Sequence, residues 1–191
     1  PQALRTGDGQ PYRVFTPFWR RLRELYRPGR PHAAPPRLEA PSRPVAGVTL
    51  EEFGLLPRPR WDIDLVKHWS IGERGARGRL DDFVGDGAET YDARRDFPGV
   101  DGVSRLSPHL HFGEISPRQV WHAVEAHAAA QGRLGASDKA MAWLRQIAWR
   151  EFAQHLLHHF PATSDAPLRE EFAHFPWVTD PAGLARWQRG E

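Results

Sequence analysis

From Ser137 to Pro161 the chain reads SDKAMAWLRQIAWREFAQHLLHHFP, with no glycine or proline between its ends. Ser137 is suited to cap a helix and Pro161 to stop one, so the spacing predicts a long helix running to about His159. At helical periodicity Met141, Leu144, Ala148, Phe152 and Leu156 share one arc, the predicted core stripe. The neighbouring arc carries Trp143, Gln146, Trp149, Arg150 and Ala153. Two readings of that second arc follow from the residues. Either the tryptophans complete packing against other helices while Arg150 pairs with Glu151 or Glu125, or the arc is a cavity wall. In the second case it offers flat aromatic faces and a guanidinium for an anion or a ring.

The rest of the chain is read around this element. Ser116 followed by Pro117 predicts an N-cap and a first helical position for a helix to Ala130. Ile71 to Val84 carries Leu80, Phe83 and Val84 at helical spacing, and Ala182 to Trp187 predicts a short helix that ends at WQRGE without a cap. Tyr12 to Phe15 predicts a short strand that enters a turn and then the helix-like WRRLRELY. With no strand after residue 20, this one is expected to close a sheet that lies upstream. Between Pro28 and Gly47 there are six prolines in twenty residues and no apolar periodicity, which predicts a semi-rigid linker. The expected fold class is therefore mainly α.

A chain of 191 residues, 40% hydrophobic and 11% aromatic, can bury one sizeable core. It has eight tryptophans and no cysteine, which excludes a disulfide framework and thiolate chemistry and suits a reducing cytoplasm. The ten histidines form no HExxH and no paired ligand set, so no metal is expected. The formal charge is only +2, yet 26 Lys and Arg, nearly all Arg, allow local basic patches for an anionic partner. No apolar run approaches a membrane span, and no signal peptide opens the chain. The chain begins with Pro and its one Met is Met141, so a fragment or processed product is expected.

Asp101 to Gly113 reads DGVSRLSPHLHFG. Gly102 allows a tight turn, Ser104 and Ser107 offer hydroxyls, and Ser107-Pro108 has the form of an N-cap with a first-turn proline. Small residues, hydroxyls and free helix N–H groups are what a phosphate requires. The glycine spacing is neither that of a Rossmann fingerprint nor that of a P-loop. Immediately upstream, YDARRDFPGV brings Tyr91, Arg94, Arg95 and Asp96. They read either as an exposed basic helix end or as a tyrosine at the same anion site with an arginine on its rim.

Three motifs in order, Tyr-x3-Arg-Asp-x-Pro, DGVSRLSPHLHFGEISPRQV and WLRQIAWREF followed by HLLHHFP, make the chain resemble the photolyase/cryptochrome family, near its class I photolyases. The likeness extends from PYRVFTPFWR to WQRGE. It implies that residues 1–20 end an α/β antenna domain, 21–60 form a linker, and 61–191 begin an all-helical domain that binds FAD and DNA. It implies FAD contacts from Tyr91, Val103, Ser104, Arg105, Leu106, Ser107 and Trp143. Val103 stands where many relatives have Thr, which removes one hydroxyl. It further implies that Gln146, Trp149, Arg150 and Ala153 face DNA, that Arg95 meets a DNA phosphate, and that Trp149, Gln146 and Arg150 serve catalysis at a flipped pyrimidine dimer. Gln146 departs from the Glu that dimer photolyases often carry; Gln can hydrogen-bond but cannot share a proton.

The implied activity is light-driven electron transfer from reduced FAD to a cyclobutane dimer in UV-damaged DNA, by a cytoplasmic, monomeric full-length protein. A second antenna chromophore, folate or deazaflavin, is implied in the domain upstream. The family continues past WQRGE with a further helical half, so the isolated chain is expected to bind FAD poorly or not at all and to be inactive in repair. Two other functions fit the residues: a cryptochrome that signals through a partner, and a basic helical DNA-binding module without cofactor.

Overall fold

The computed structural model describes residues 3–26, 28–43, 46–176 and 178–191. Seven α-helices follow one another among these residues: α1 (Phe15–Leu25), α2 (Glu73–Asp82), α3 (Ala88–Arg94), α4 (Ser107–His111), α5 (Pro117–Ala130), α6 (Asp138–His159) and α7 (Pro181–Arg189). The described residues contain no strand. The chain divides into two units, one of residues 25–148 and one of residues 1–24 with 149–191.

In the first unit the core gathers around α2, α3, α5 and the N-terminal half of α6. Leu80, Phe83, Tyr91, Leu106, Val120, Val124, Trp143, Leu144 and Ile147 all belong to it. Burying each of the larger apolar side chains contributes about 1.5–3 kcal/mol, which makes this cluster the main source of cohesion. The α5 helix forms over the expected Pro117 to Ala130 because its start is closed twice. The Ser116 hydroxyl accepts the Gln119 N–H at 3.2 Å, and the Gln119 side-chain oxygen accepts the Ser116 N–H at 2.8 Å. Ser137 likewise caps α6, accepting the Ala140 N–H at 3.0 Å. The expected helix over 71–84 becomes α2 and then a π-helical turn, Phe83–Gly87, that carries the chain directly into α3.

Between α1 and α2 the described chain has only two short 3-10 turns, Glu51–Phe53 and Val66–His68, as the proline content requires. The linker is tied to α5 at its start: the Tyr26 ring meets Trp121 edge-on at 5.3 Å, and the Gly29 carbonyl lies 3.0 Å from His122 Nε2.

The second unit corrects the predicted strand. Phe15 opens α1, and Pro17 sits in its first turn, where a missing N–H costs nothing. Phe15 and Phe18 recur at helical rather than strand spacing, and a single strand would have left its backbone groups unpaired. Phe18 is wholly buried, 5.1 Å from both the Phe152 and His155 rings. The core stripe of α6 is also shifted. Trp143, Ile147 and His155 are buried, whereas Met141 and Leu156 are half-buried, because neighbouring aromatic rings reach the flank of the expected arc. The C-terminal helix is closed at both ends, contrary to expectation. Asp180 accepts the Gly183 N–H at 2.9 Å, and Gly190 takes the left-handed conformation (φ 77°).

Candidate functional site

A cavity of about 680 Å³ lies along one face of α2 in the first unit. Its wall is built by the helical repeat of Ile71, Arg74, Gly75, Gly78, Arg79, Asp82, Phe83 and Asp86, closed on the other side by Arg94, Asp101, Val103 and Ser104. Two backbone approaches shape it. A Cβ on Gly75 would stand 1.7 Å from the Ser70 carbonyl oxygen, and one on Gly102 would stand 2.7 Å from Arg94 Cβ. Glycine is therefore what lets the loop before α2 lie on its first turn and the 101–104 segment lie on the end of α3.

Of the expected cofactor segment, Val103 and Ser104 face this cavity. Ser104 Oγ accepts the Leu106 N–H at 3.4 Å, which leaves its own proton for a ligand. Arg105 adopts a left-handed backbone (φ 52°), a strained conformation of the kind that clusters at ligand clamps. Its guanidinium lies 3.1 Å from Asp101. Leu106 is buried in the core and Ser107 is exposed. Ser107 is not the N-cap of α4 as expected: it is the first helical residue, and Leu106 holds the cap position without a side-chain bond. The turn is already satisfied by Ser104 two residues earlier.

Tyr91 and Trp143 do not line the cavity. Both are buried beneath it against Phe83, whose ring meets Tyr91 edge-on at 6.3 Å and Trp143 at 4.7 Å. They shape the cavity floor through that ring. Arg95 is held over the Tyr91 ring at 5.8 Å and lies 3.6 Å from Asp96. A hydrogen bond to Tyr91, and then Asp96, hold its guanidinium further toward the charged form.

On α6, Gln146 is half-buried in the first unit. In the second unit Trp149 stacks on Phe15, with centroids 3.6 Å apart and planes 10° from parallel, yet remains 45% exposed. Arg150 lies 3.5 Å from Glu151, and Ala153 is exposed. Glu125 instead accepts the Trp121 indole N–H at 2.8 Å. Sequence reasoning missed Arg74, Arg79 and the glycines of α2, whose signal was small residues at helical spacing. It also missed Phe15 as the partner of Trp149, for which the sequence offers no local signal.

Residues 143–191 match the family model described as the FAD binding domain of DNA photolyase. The whole chain is 40% identical to a deoxyribodipyrimidine photo-lyase of Agrobacterium fabrum and covers 39% of that protein. It is 35% identical to the Escherichia coli deoxyribodipyrimidine photo-lyase, of which it also covers 39%. The crystal structure of a bacterial class III photolyase from Agrobacterium tumefaciens matches with a TM-score of 0.86 at 40% identity, covering 98% of this chain and 38% of that one. The helices thus carry the fold of part of the photolyase FAD-binding domain. The chain is similar to DNA photolyases along its whole length and spans about two fifths of the length of the curated relatives it matches. That crystal structure is described as a class III photolyase, while the motifs of this chain resemble the class I branch.

Proposed function

We propose that this chain contributes the first part of the flavin-binding domain of a deoxyribodipyrimidine photolyase, a lyase that splits cyclobutane pyrimidine dimers in UV-damaged DNA under light. The observation that carries the reading is the cavity lined together by Val103, Ser104, Arg74, Arg79 and Arg94. Its volume suits a cofactor-sized ligand, and its polar groups suit a phosphate-bearing one, so the residues present fit FAD.

Reduced FAD, when bound, supplies the excited-state electron for ring splitting. The residues of this chain bind and orient. Ser104 donates its hydroxyl to a phosphate oxygen, and the backbone around Arg105, Leu106 and Ser107 follows the same anion. Phe83, braced by Tyr91 and Trp143, closes the floor and excludes water from it.

Photolyases are among the enzymes that take their target out of the base stack. The exposed part of Trp149 gives the extruded dimer a surface to stack on, and Phe15 fixes the plane of the ring. Arg150, Gln146 and Ala153 continue along α6 at helical spacing, Gln146 as a neutral hydrogen-bond partner, and Arg95 meets a backbone phosphate. A folate or deazaflavin antenna belongs to an α/β domain of the same protein, which works as a monomer in the cytoplasm. No helix among the described residues is long and apolar enough to cross a membrane.

The test is light-dependent loss of cyclobutane dimers from irradiated DNA by the photolyase that carries this chain. Repair that disappears in Trp149→Ala is expected. Flavin binding without repair would favour a cryptochrome, and DNA binding without flavin would favour a cofactor-free module.

A further inference from the structure

Trp149 and Phe15 are the first two rings of a longer series. On the next turn of α1, Trp19 lies parallel to Phe15, with planes 6° apart and centroids 6.4 Å apart. One turn further on, the Arg23 guanidinium lies over the Trp19 ring at 5.7 Å. Phe15, Trp19 and Arg23 are spaced four residues apart, so they share one edge of α1 and run about 12 Å along its axis. All of these residues belong to the second unit.

The far end of that edge is basic. Arg20, Arg21 and Arg23 stand in α1 with one carboxylate, Glu24, which pairs with Arg21 at 3.0 Å. At helical periodicity Arg23 and Arg20 follow Trp19 around the helix, whereas Arg21 falls on the far side from Trp19. Arg20 and Arg23 are exposed and one turn apart. Like charges at that spacing repel each other, a cost that a bound anion removes. A guanidinium stacked on an indole is held flat, and its N–H groups radiate in its own plane toward whatever lies at the rim.

In the reading above, the exposed face of Trp149 takes the extruded dimer. The strand that carries the dimer continues as a backbone with one negative charge about every 3.4 Å of helix axis. Arg20 and Arg23 stand about 4.5 Å apart along α1, which lets them meet neighbouring phosphates. We propose that the α1 edge formed by Trp19, Arg20 and Arg23 is a contact for the DNA backbone beside the lesion, reading no sequence and adding affinity for damaged and undamaged DNA alike. Its placement beside the lesion rests on the dimer-stacking reading of Trp149; the phosphate contact itself does not.

The experiment uses the full-length protein in the dark, so that binding is read without turnover. Dissociation constants are measured across a salt series for a duplex with a single cyclobutane dimer and for the same duplex undamaged. Arg20→Gln, Arg23→Gln and Arg21→Gln each remove one charge from the same helix, so only position distinguishes them. Arg20→Gln and Arg23→Gln are expected to weaken both DNAs by a common factor of about three to ten, and to flatten the slope of log K against log salt by about 1. Arg21→Gln should leave that slope as it was, and Arg20→Lys should keep it. An unchanged slope in Arg20→Gln or Arg23→Gln, an equal loss in Arg21→Gln, or a loss confined to the dimer-containing duplex would each overturn the proposal. Trp149→Ala separates the two ideas: flattened slopes in the arginine variants beside an undiminished dimer preference in Trp149→Ala support the phosphate contact and count against the stacking reading alone.

Discussion

Phe15 at the start of α1 stacks on Trp149 of α6, with ring centroids 3.6 Å apart and planes 10° from parallel. Phe152 meets the same indole edge-on at 5.9 Å. An exposed tryptophan on a helix ordinarily samples several rotamers; here one face is covered and the plane is set before any ligand arrives. Phe15 is buried and Trp149 is not, so truncation should separate their roles. Phe15→Ala is expected to cost about 3–5 kcal/mol in urea unfolding and Trp149→Ala clearly less. If the proposed function holds, Trp149→Ala in the full-length protein should weaken binding to dimer-containing DNA by about 1–3 kcal/mol relative to undamaged DNA. Equal losses on both DNAs would remove the stacking role.

Two glycines in one helix should respond with opposite signs. Gly75 lies against the Ser70 carbonyl, where a Cβ would stand at 1.7 Å, while a Cβ on Gly78 meets nothing within 4 Å. Gly75→Ala must displace backbone and should cost about 1–3 kcal/mol. Gly78→Ala gains helix propensity and should stabilise by about 0.5–1 kcal/mol. At about 2–4 °C per kcal/mol for a chain of this size, thermal unfolding resolves the pair.

Glu89 ties α3 to the start of α6. Its carboxylate accepts Arg133 Nη1 at 3.0 Å and the Ser137 hydroxyl at 2.8 Å. Partial burial alone would push its carboxyl up, but Ser137 and then Arg133 bring it below the ordinary 4.5. A carboxyl lowered in the folded state stabilises at pH above its unfolded value, and that contribution is lost as pH falls through the folded value. The stability gap between the parent chain and Glu89→Gln should therefore be constant from pH 7 to about 5 and shrink below about 4.5, read by urea unfolding across that range. A gap that widens on acidification would contradict the assignment.

The two serine-proline starts are not equivalent. Ser116 closes a capping box and Ser107 caps nothing. Ser116→Ala should cost about 1 kcal/mol, and Ser107→Ala less than about 0.5 kcal/mol, in the same denaturation measurement.

What could be read from the sequence is what depends on near neighbours. The bounds of α5, the caps at Ser116 and Ser137, and the scarcity of helix between α1 and α2 follow from local hydrogen bonding and fixed φ, so they are visible in the order of residues. The resemblance to photolyases was legible for the same reason: the motifs that carry it are short and ordered. Tyr12 to Phe15 misled because Tyr, Val and Phe favour strands locally, whereas the burial of Phe15 and Phe18 at helical spacing decides for α1. Tyr91 and Trp143 were expected to contact the cofactor; the structure packs both against Phe83, which spacing along the chain does not reveal.

The sequence by itself determined that the chain is mainly helical and where α5 and α6 start, because each of these rests on contacts within a turn or two of chain. Only the tertiary structure decided which groups meet: Phe15 with Trp149, Glu89 with Arg133 and Ser137, and Arg74 with Ser104 along one cavity. Those meetings depend on close packing, where the missing Cβ of Gly75 or Gly102 counts as much as any side chain, and spacing along the chain does not encode them.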